Sequence, residues 1–182
     1  MANAIGMIEF TSIARGMYVA DQMVKASSVE IVTASSACPG KYIAIIHGDV
    51  DAIENSIGIG VELADDFYVD SIVIPNVHPG IFPAISGATM PERIQAIGII
   101  ESFAAPAIII AADAILKEAV LEAIEIRLGN GIGGKAYFVF TGDVSAVKAG
   151  MESGQAITVE KGLLVNSEVI PSPSELLIEH LL

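Results

Sequence analysis

The chain contains the same series of short motifs twice, and this duplication constrains its fold more than any other feature. The strand-like segment Ala4–Glu9 (AIGMIE) returns as Ala96–Glu101 (AIGIIE). Four more motifs recur in the same order: Ala20-Asp21 with Lys25 and Ala112-Asp113 with Lys117, Gly40-Lys41 and Gly134-Lys135, Gly48–Val50 and Gly142–Val144, and Val73–Pro75 and Val169–Pro171. Because the separation between the copies grows only slightly along the chain, we infer a duplication with small loop insertions.

Each copy has the hydrophobic pattern of the order β-α-β-β-α-β. The hydroxyl of Thr11 or Ser12 is placed to cap the first helix. The buried face of that helix is predicted from residues at helical spacing, namely Ile13, Met17, Ala20 and Val24. In the first copy we predict strands at 4–10, 29–35, 41–47 and 69–74 and a second helix from Asp49 to about Ala64. In the second copy we predict strands at 96–101, 121–128, 135–141 and 163–170 and helices at 106–119 and 144–153.

This order is typical of ferredoxin-like α+β folds, in which helices pack on one face of an antiparallel sheet. The segment 76–93 holds three prolines and two glycines and is the predicted linker. We therefore predict two tandem domains, at residues 1–90 and 91–182.

Composition excludes several classes of protein. With 53% hydrophobic residues the chain is too apolar for intrinsic disorder, and its net charge of −13 argues against a nucleic-acid partner. The longest uncharged apolar stretch in the middle of the chain, Ser102–Ala112, is too short for a membrane span, which needs about 20 residues. No secretory signal precedes the first strand, and one cysteine excludes an intramolecular disulfide, so we expect a cytoplasmic protein. Because few charges are available to cover its surface, we expect it to oligomerise.

The glycine-rich segment Gly129–Lys135 resembles a phosphate-binding loop. Such loops bind an anion at the N-terminus of a following helix, whereas a strand-like sequence follows here. Ala136 also lacks the hydroxyl that would hold Mg²⁺. We therefore interpret the segment as a glycine-rich hairpin or pore loop, and nucleotide binding remains the enzyme alternative.

The sequence contains no recognisable catalytic or metal-binding pattern of its own. His47, His78 and His180 are far apart and lack metal-ligand spacing, and the carboxylates are scattered. Cys38 is more distinctive, because it precedes Pro39 and Gly40 in a turn between two predicted strands, from which its side chain is expected to project. One thiolate cannot hold a cluster or a structural zinc ion. Three-fold symmetry would change this by bringing three copies of Cys38 together on the axis.

The repeated motifs resemble bacterial microcompartment shell proteins over essentially the whole chain. Two fused copies resemble the tandem-domain class, whose trimers imitate the hexamers of single-domain members. The segments Cys38–Lys41, Asn76–Pro79 and Gly131–Lys135 are similar to those of the T-type shell proteins of propanediol-utilisation compartments.

The resemblance implies a homotrimer in the microcompartment shell, together with other shell proteins. Its pore loop would comprise Ser36, Ala37, Cys38, Pro39 and Gly40, and three Cys38 thiolates would bind a [4Fe–4S] cluster there. Three thiolates leave one iron to another ligand, and the oxidised site carries a net charge of only about −1. The implied function is electron transfer or cluster delivery across the shell, with an encapsulated or cytosolic redox protein as a possible partner.

The resemblance also implies that Lys25 and Lys117 lie at tile edges, although either could be a solvated lysine at a helix end. Six such lysines per trimer would join tiles through many weak contacts. Two alternatives stay open for the pore. A three-coordinate zinc site could replace the cluster, or an open pore without a cluster could conduct a small metabolite.

Overall fold

The computed structural model describes residues 4–87, 89 and 91–181. The strands are β1 (Ala4–Phe10), β2 (Val29–Ala37), β3 (Lys41–Gly48), β4 (Tyr68–Ile74), β5 (Ala96–Ser102), β6 (Glu122–Leu128), β7 (Ala136–Gly142) and β8 (Leu164–Pro171). The α-helices are α1 (Ile13–Ala26), α2 (Val50–Ala64), α3 (Ile81–Ser86), α4 (Ala105–Glu118), α5 (Val144–Glu160) and α6 (Glu175–Leu181). A short 3₁₀ turn at Asp65–Phe67 precedes β4.

Two antiparallel sheets have the same strand order, and each uses strands of one repeat alone. The first sheet has the order β2-β3-β1-β4 and the second has the order β6-β7-β5-β8. The register is repeated as well, since Glu9 lies opposite Ile43 in the first sheet and Glu101 lies opposite Tyr137 in the second. The predicted β-α-β-β-α-β order and the α+β class are therefore confirmed.

The buried face of α1 differs from the predicted one. Its N-terminus is as expected, because the Ser12 hydroxyl accepts a hydrogen bond from the backbone N–H of Arg15. The buried residues, however, are Gly16, Val19, Ala20 and Met23. A Cβ atom on Gly16 would lie 2.5 Å from the Tyr42 ring, so the helix approaches β3 closely only on this small-residue face. The larger side chains of Ile13 and Met17 are consequently exposed, and the predicted stripe was wrong at those two positions.

The second repeat has an apolar core between α4, α5 and the sheet. Phe138 and Phe140 are fully buried and their rings stack 5.1 Å apart. Gly150 and Gly154 let α5 lie close to Ile115 of α4. The helix α5 runs to Glu160, seven residues beyond the predicted end at Ser153. Gly154, the residue after the predicted end, is a contact point inside the helix.

The predicted linker is partly helical. The helix α3 lies within 76–93 and packs against β6, while Ala88 and Met90 of this segment lie outside the described residues. The chain divides into two compact units: the described part of residues 1–77 with 130–133, and the described part of residues 78–129 and 134–182. The domain boundary at residue 90 stays a prediction. Among the described residues, no helix is long and apolar enough to span a bilayer.

Candidate functional site

Cys38 lies in a three-residue turn between β2 and β3. The strand β2 continues to Ala37, which pairs with Lys41 at the start of β3, so the turn consists of Cys38, Pro39 and Gly40 alone. The Cys38–Pro39 peptide is cis, and Gly40 has a φ of +77°, a conformation that glycine adopts without strain. The Cys38 thiol is free and half-buried, whereas Pro39 and Gly40 are exposed. The turn thus presents a thiol at the end of a hairpin.

Ser36 and Ala37, which were predicted to belong to the pore loop, are in β2. Ser36 pairs with Tyr42, and its side chain is exposed, while Ala37 is buried. Burial raises the pKa of the neighbouring Tyr42 hydroxyl. That these two residues line a pore stays a prediction, since a pore requires further copies of the chain.

An ion pair lies at the base of this turn. The Lys41 ammonium is 2.9 Å from the Glu9 carboxylate, whose side chain is only 7% exposed. Glu9 lies in β1 opposite Ile43, so Lys41 is its diagonal neighbour on the same face of the sheet. A carboxylate this buried needs a partner, and Lys41 supplies the charge.

The second repeat has the same ion pair below a longer turn. Residues 129–135 join β6 to β7, and Gly129, Gly131, Gly133 and Gly134 all have positive φ values. At its base the Lys135 ammonium is 2.7 Å from the Glu101 carboxylate. The strand β7 follows directly, so the glycine-rich segment lacks the helix that a phosphate-binding loop requires.

Lys25 and Lys117 lie in the last turns of α1 and α4. Each ammonium is 2.6 Å from the aspartate one turn earlier, Asp21 or Asp113. The two sites differ in their surroundings, because Asp113 is buried and also accepts a hydrogen bond from the backbone N–H of His78 at 2.8 Å. Their role at tile edges is not visible in a single chain and stays a prediction.

The two glutamate–lysine pairs were missed at the sequence level. Both glutamates and both lysines occur in the repeated motifs. The signal that could have revealed the pairs is the single charged residue near the end of each apolar first strand.

A second cluster of polar side chains was missed as well. The Tyr137 hydroxyl donates a hydrogen bond to Glu125, which also pairs with Arg127. Burial and then the Glu125 carboxylate raise the pKa of Tyr137 to about 12.

No set of three His, Cys, Asp or Glu side chains is gathered for a metal ion within the described residues of one chain. A group that needs three thiolates therefore fits Cys38 only if three chains contribute one thiol each.

Comparisons with known proteins define the class. The BMC domain matches twice, at residues 4–77 and 96–173, so the chain belongs to the BMC domain family and carries two such domains. The chain is 42% identical to the bacterial microcompartment shell protein PduT of Citrobacter freundii over 175 residues, covering 96% of this chain and 95% of PduT. It is 31% identical to the carboxysome assembly protein CcmO of Synechococcus elongatus, covering 99% of this chain and 69% of CcmO.

Solved structures agree with the family. A crystal structure of a microcompartments protein from Desulfitobacterium hafniense matches with a TM-score of 0.93 and 44% identity, covering 97% of this chain and 98% of that one. The fused permuted hexameric shell protein MSM0275 matches with a TM-score of 0.62 and 14% identity, covering 87% and 82%, and so shares the fold.

The chain is a structural shell protein of a bacterial microcompartment rather than an enzyme, and its place is the shell of that compartment in the cytoplasm. The family, the fold class, the absence of enzymatic function and the location predicted from the sequence are confirmed.

Proposed function

We propose that three copies of this chain form one shell tile and that their three Cys38 thiolates hold a [4Fe–4S] cluster at its centre. Such a cluster, when bound, supplies a one-electron carrier. The tile would then pass electrons, or cluster components, across the shell to an encapsulated or cytosolic redox protein. The observation that supports this most directly is the position of Cys38, a half-buried free thiol in a tight turn at the end of a hairpin.

The choice of donors supports a site shared between chains. Iron–sulfur clusters are bound mainly by cysteine thiolates, and each chain offers one cysteine. Closed symmetry places equivalent residues around a common axis, so three chains supply three identical ligands. The fourth iron would take a ligand from outside this set.

An exposed surface on the first repeat supports assembly with further copies. On α1 the side chains of Met17 and Tyr18 are 56% and 52% exposed. Tyr18 borders a shallow hollow of about 470 Å³ that Arg15 and Phe67 also line. In the second repeat the duplication places Ile109 at the position of Met17, and Ile109 is fully buried. Because the same helix face is covered in one repeat and open in the other, we infer that a second copy of this chain covers the open face.

The edge lysines support assembly of tiles into sheets. Lys25 and Lys117 sit at equivalent positions, so a trimer would present six of them. A single exposed ion pair between two tiles would contribute little to their binding free energy. A sheet of tiles would therefore depend on many such contacts acting together. Other shell proteins are the proposed partners at these edges.

The test is metal content under anaerobic conditions. The protein is purified without oxygen, reconstituted with iron and sulfide, and desalted. We expect about four irons and four sulfides per three chains, with a broad visible absorption band. Electron paramagnetic resonance of the reduced protein should then show a signal from a paramagnetic cluster.

The matched variant is Cys38→Ser, which should lose iron, sulfide and colour while retaining the oligomeric state of the parent. Wild-type protein that stays colourless with less than one iron per three chains would overturn the cluster proposal. In that case, zinc bound in a Cys38-dependent manner would indicate the alternative metal site. A metal-free protein would leave a metabolite-conducting pore as the function of the tile.

A further inference from the structure

The two repeats place one identical ion pair below two unlike turns. In the first repeat the pair is Glu9 with Lys41, and in the second it is Glu101 with Lys135. The turns above them differ in length and sequence, since the first has three residues and a cysteine whereas the second is rich in glycine. The same ion pair is present although the turns differ. We therefore attribute it to the strands at the base of each hairpin and not to the turn itself.

The first pair is the more buried of the two. The Glu9 side chain is 7% exposed against 32% for Glu101, and Lys41 is 32% exposed against 41% for Lys135. Charge-assisted hydrogen bonds are stronger where water is excluded, and a buried charge that loses its partner is costly. Lys41 is therefore held firmly in its position in the first repeat.

Lys41 is also the residue that closes the cysteine turn. It is the first residue of β3 and pairs across the hairpin with Ala37, the last residue of β2. Only Cys38, Pro39 and Gly40 lie between them. Fixing the Lys41 side chain to β1 thus fixes both ends of the turn that carries the thiol.

We propose that Glu9 is a positioning residue for Cys38, acting through Lys41. The Glu9–Lys41 pair anchors the cysteine turn to the central strand and holds the thiol in a single arrangement. This inference rests on the proposed function in treating Cys38 as the functional group. The second repeat uses the equivalent pair to anchor a turn that carries no thiol, which makes it a built-in control.

The experiment measures the rate at which iodoacetamide alkylates Cys38 in the native, metal-free oligomer at neutral pH. Glu9→Gln removes the charge that holds Lys41 and keeps the shape of the side chain. We expect alkylation to become roughly three- to tenfold faster, because local opening of the turn is no longer opposed by a charge-assisted hydrogen bond. Glu101→Gln, the same change in the second repeat, should leave the rate unchanged.

A conservative variant separates positioning from general loss of stability. Lys41→Arg keeps a cation for Glu9 and should retain the parent rate, whereas Lys41→Met should raise the rate. Because Lys41→Met leaves a buried carboxylate unpaired, the double variant Glu9→Gln/Lys41→Met is measured beside it as the form in which neither charge is stranded. Its rate should also exceed that of the parent.

Equal effects of Glu9→Gln and Glu101→Gln on the alkylation rate, or no effect of either, would overturn the inference. The outcome is independent of the cluster, since the thiol is probed without metal. A protein that binds no iron yet shows the Glu9-specific change would refute the proposed cofactor and retain the positioning role.

Discussion

Asp113 accepts a hydrogen bond from the backbone N–H of His78 at 2.8 Å, just after the first BMC domain ends. The same carboxylate lies 2.6 Å from the Lys117 ammonium. Its repeat equivalent Asp21 pairs with Lys25 in the same way, but its second partner is the Gln22 side chain and it is half exposed. One duplicated aspartate has thus become part of a buried network that holds the start of the linker.

This difference predicts unequal losses of stability. Asp113→Ala leaves the His78 N–H and the Lys117 ammonium without their acceptor, which should cost about 1–3 kcal/mol. Asp21→Ala removes only an exposed pair and should cost less than about 1 kcal/mol. Urea unfolding of the two variants, followed by circular dichroism, provides the comparison. Equal midpoints would show that the His78 contact contributes nothing.

A second duplicated aspartate predicts a pH effect. The Asp143 carboxylate caps α5 by accepting a hydrogen bond from the backbone N–H of Ala146, whereas Asp49 makes no side-chain cap bond to α2 in the described structure. Asp143→Ala should therefore lower the urea midpoint at pH 7 more than Asp49→Ala does.

The sign of the pH dependence follows from the hydrogen bonds. The Ala146 N–H, and then the Ser145 hydroxyl, hold the pKa of Asp143 below its ordinary value of 3.8. Stability from a lowered pKa is complete above the unfolded value and is lost as the pH falls through the folded value. The difference between wild type and Asp143→Ala should thus shrink as the pH falls below the ordinary value of 3.8. A difference that stays constant over this range would exclude an ionised cap.

The exposed face of α1 predicts where assembly is sensitive. Met17→Asp places a charge on the face that we infer a second copy covers, and burying that charge is unfavourable. Sedimentation velocity should show a smaller species, with the circular dichroism spectrum unchanged. Val61→Asp, a matched change of an exposed apolar residue on α2, should leave the oligomer intact. Dissociation by both variants, or by neither, would contradict the assignment of this face.

Much of the fold was accessible from the sequence because the duplication shows every motif twice. The order of strands and helices along each copy needed only hydrophobic patterning and the Pro-Gly turn at Pro39. The face of α1 was not accessible in this way, because its side chains suggested a stripe through Met17. The decisive factor is a packing distance: the Tyr42 ring lies where any side chain on residue 16 would collide with it.

The site was predictable only in part for a similar reason. Cys38 was evident as the single thiol in a turn, and its neighbours defined the hairpin. The Glu9–Lys41 pair joins residues 32 positions apart in the sequence, and it becomes visible only through the register that places Glu9 opposite Ile43. The helix α3 was hidden by Pro79, Pro83 and Gly80, residues that usually mark a linker.

Each sheet takes all four of its strands from one half of the chain. Among the described residues, neither sheet draws a strand from the other half, so each backbone hydrogen-bond ladder is complete within its own repeat. Transplanting the three-residue cysteine turn onto β6 and β7 would double the thiols per tile. The natural chain has its single cysteine in the first repeat, so the turn of the second hairpin is available for a different function.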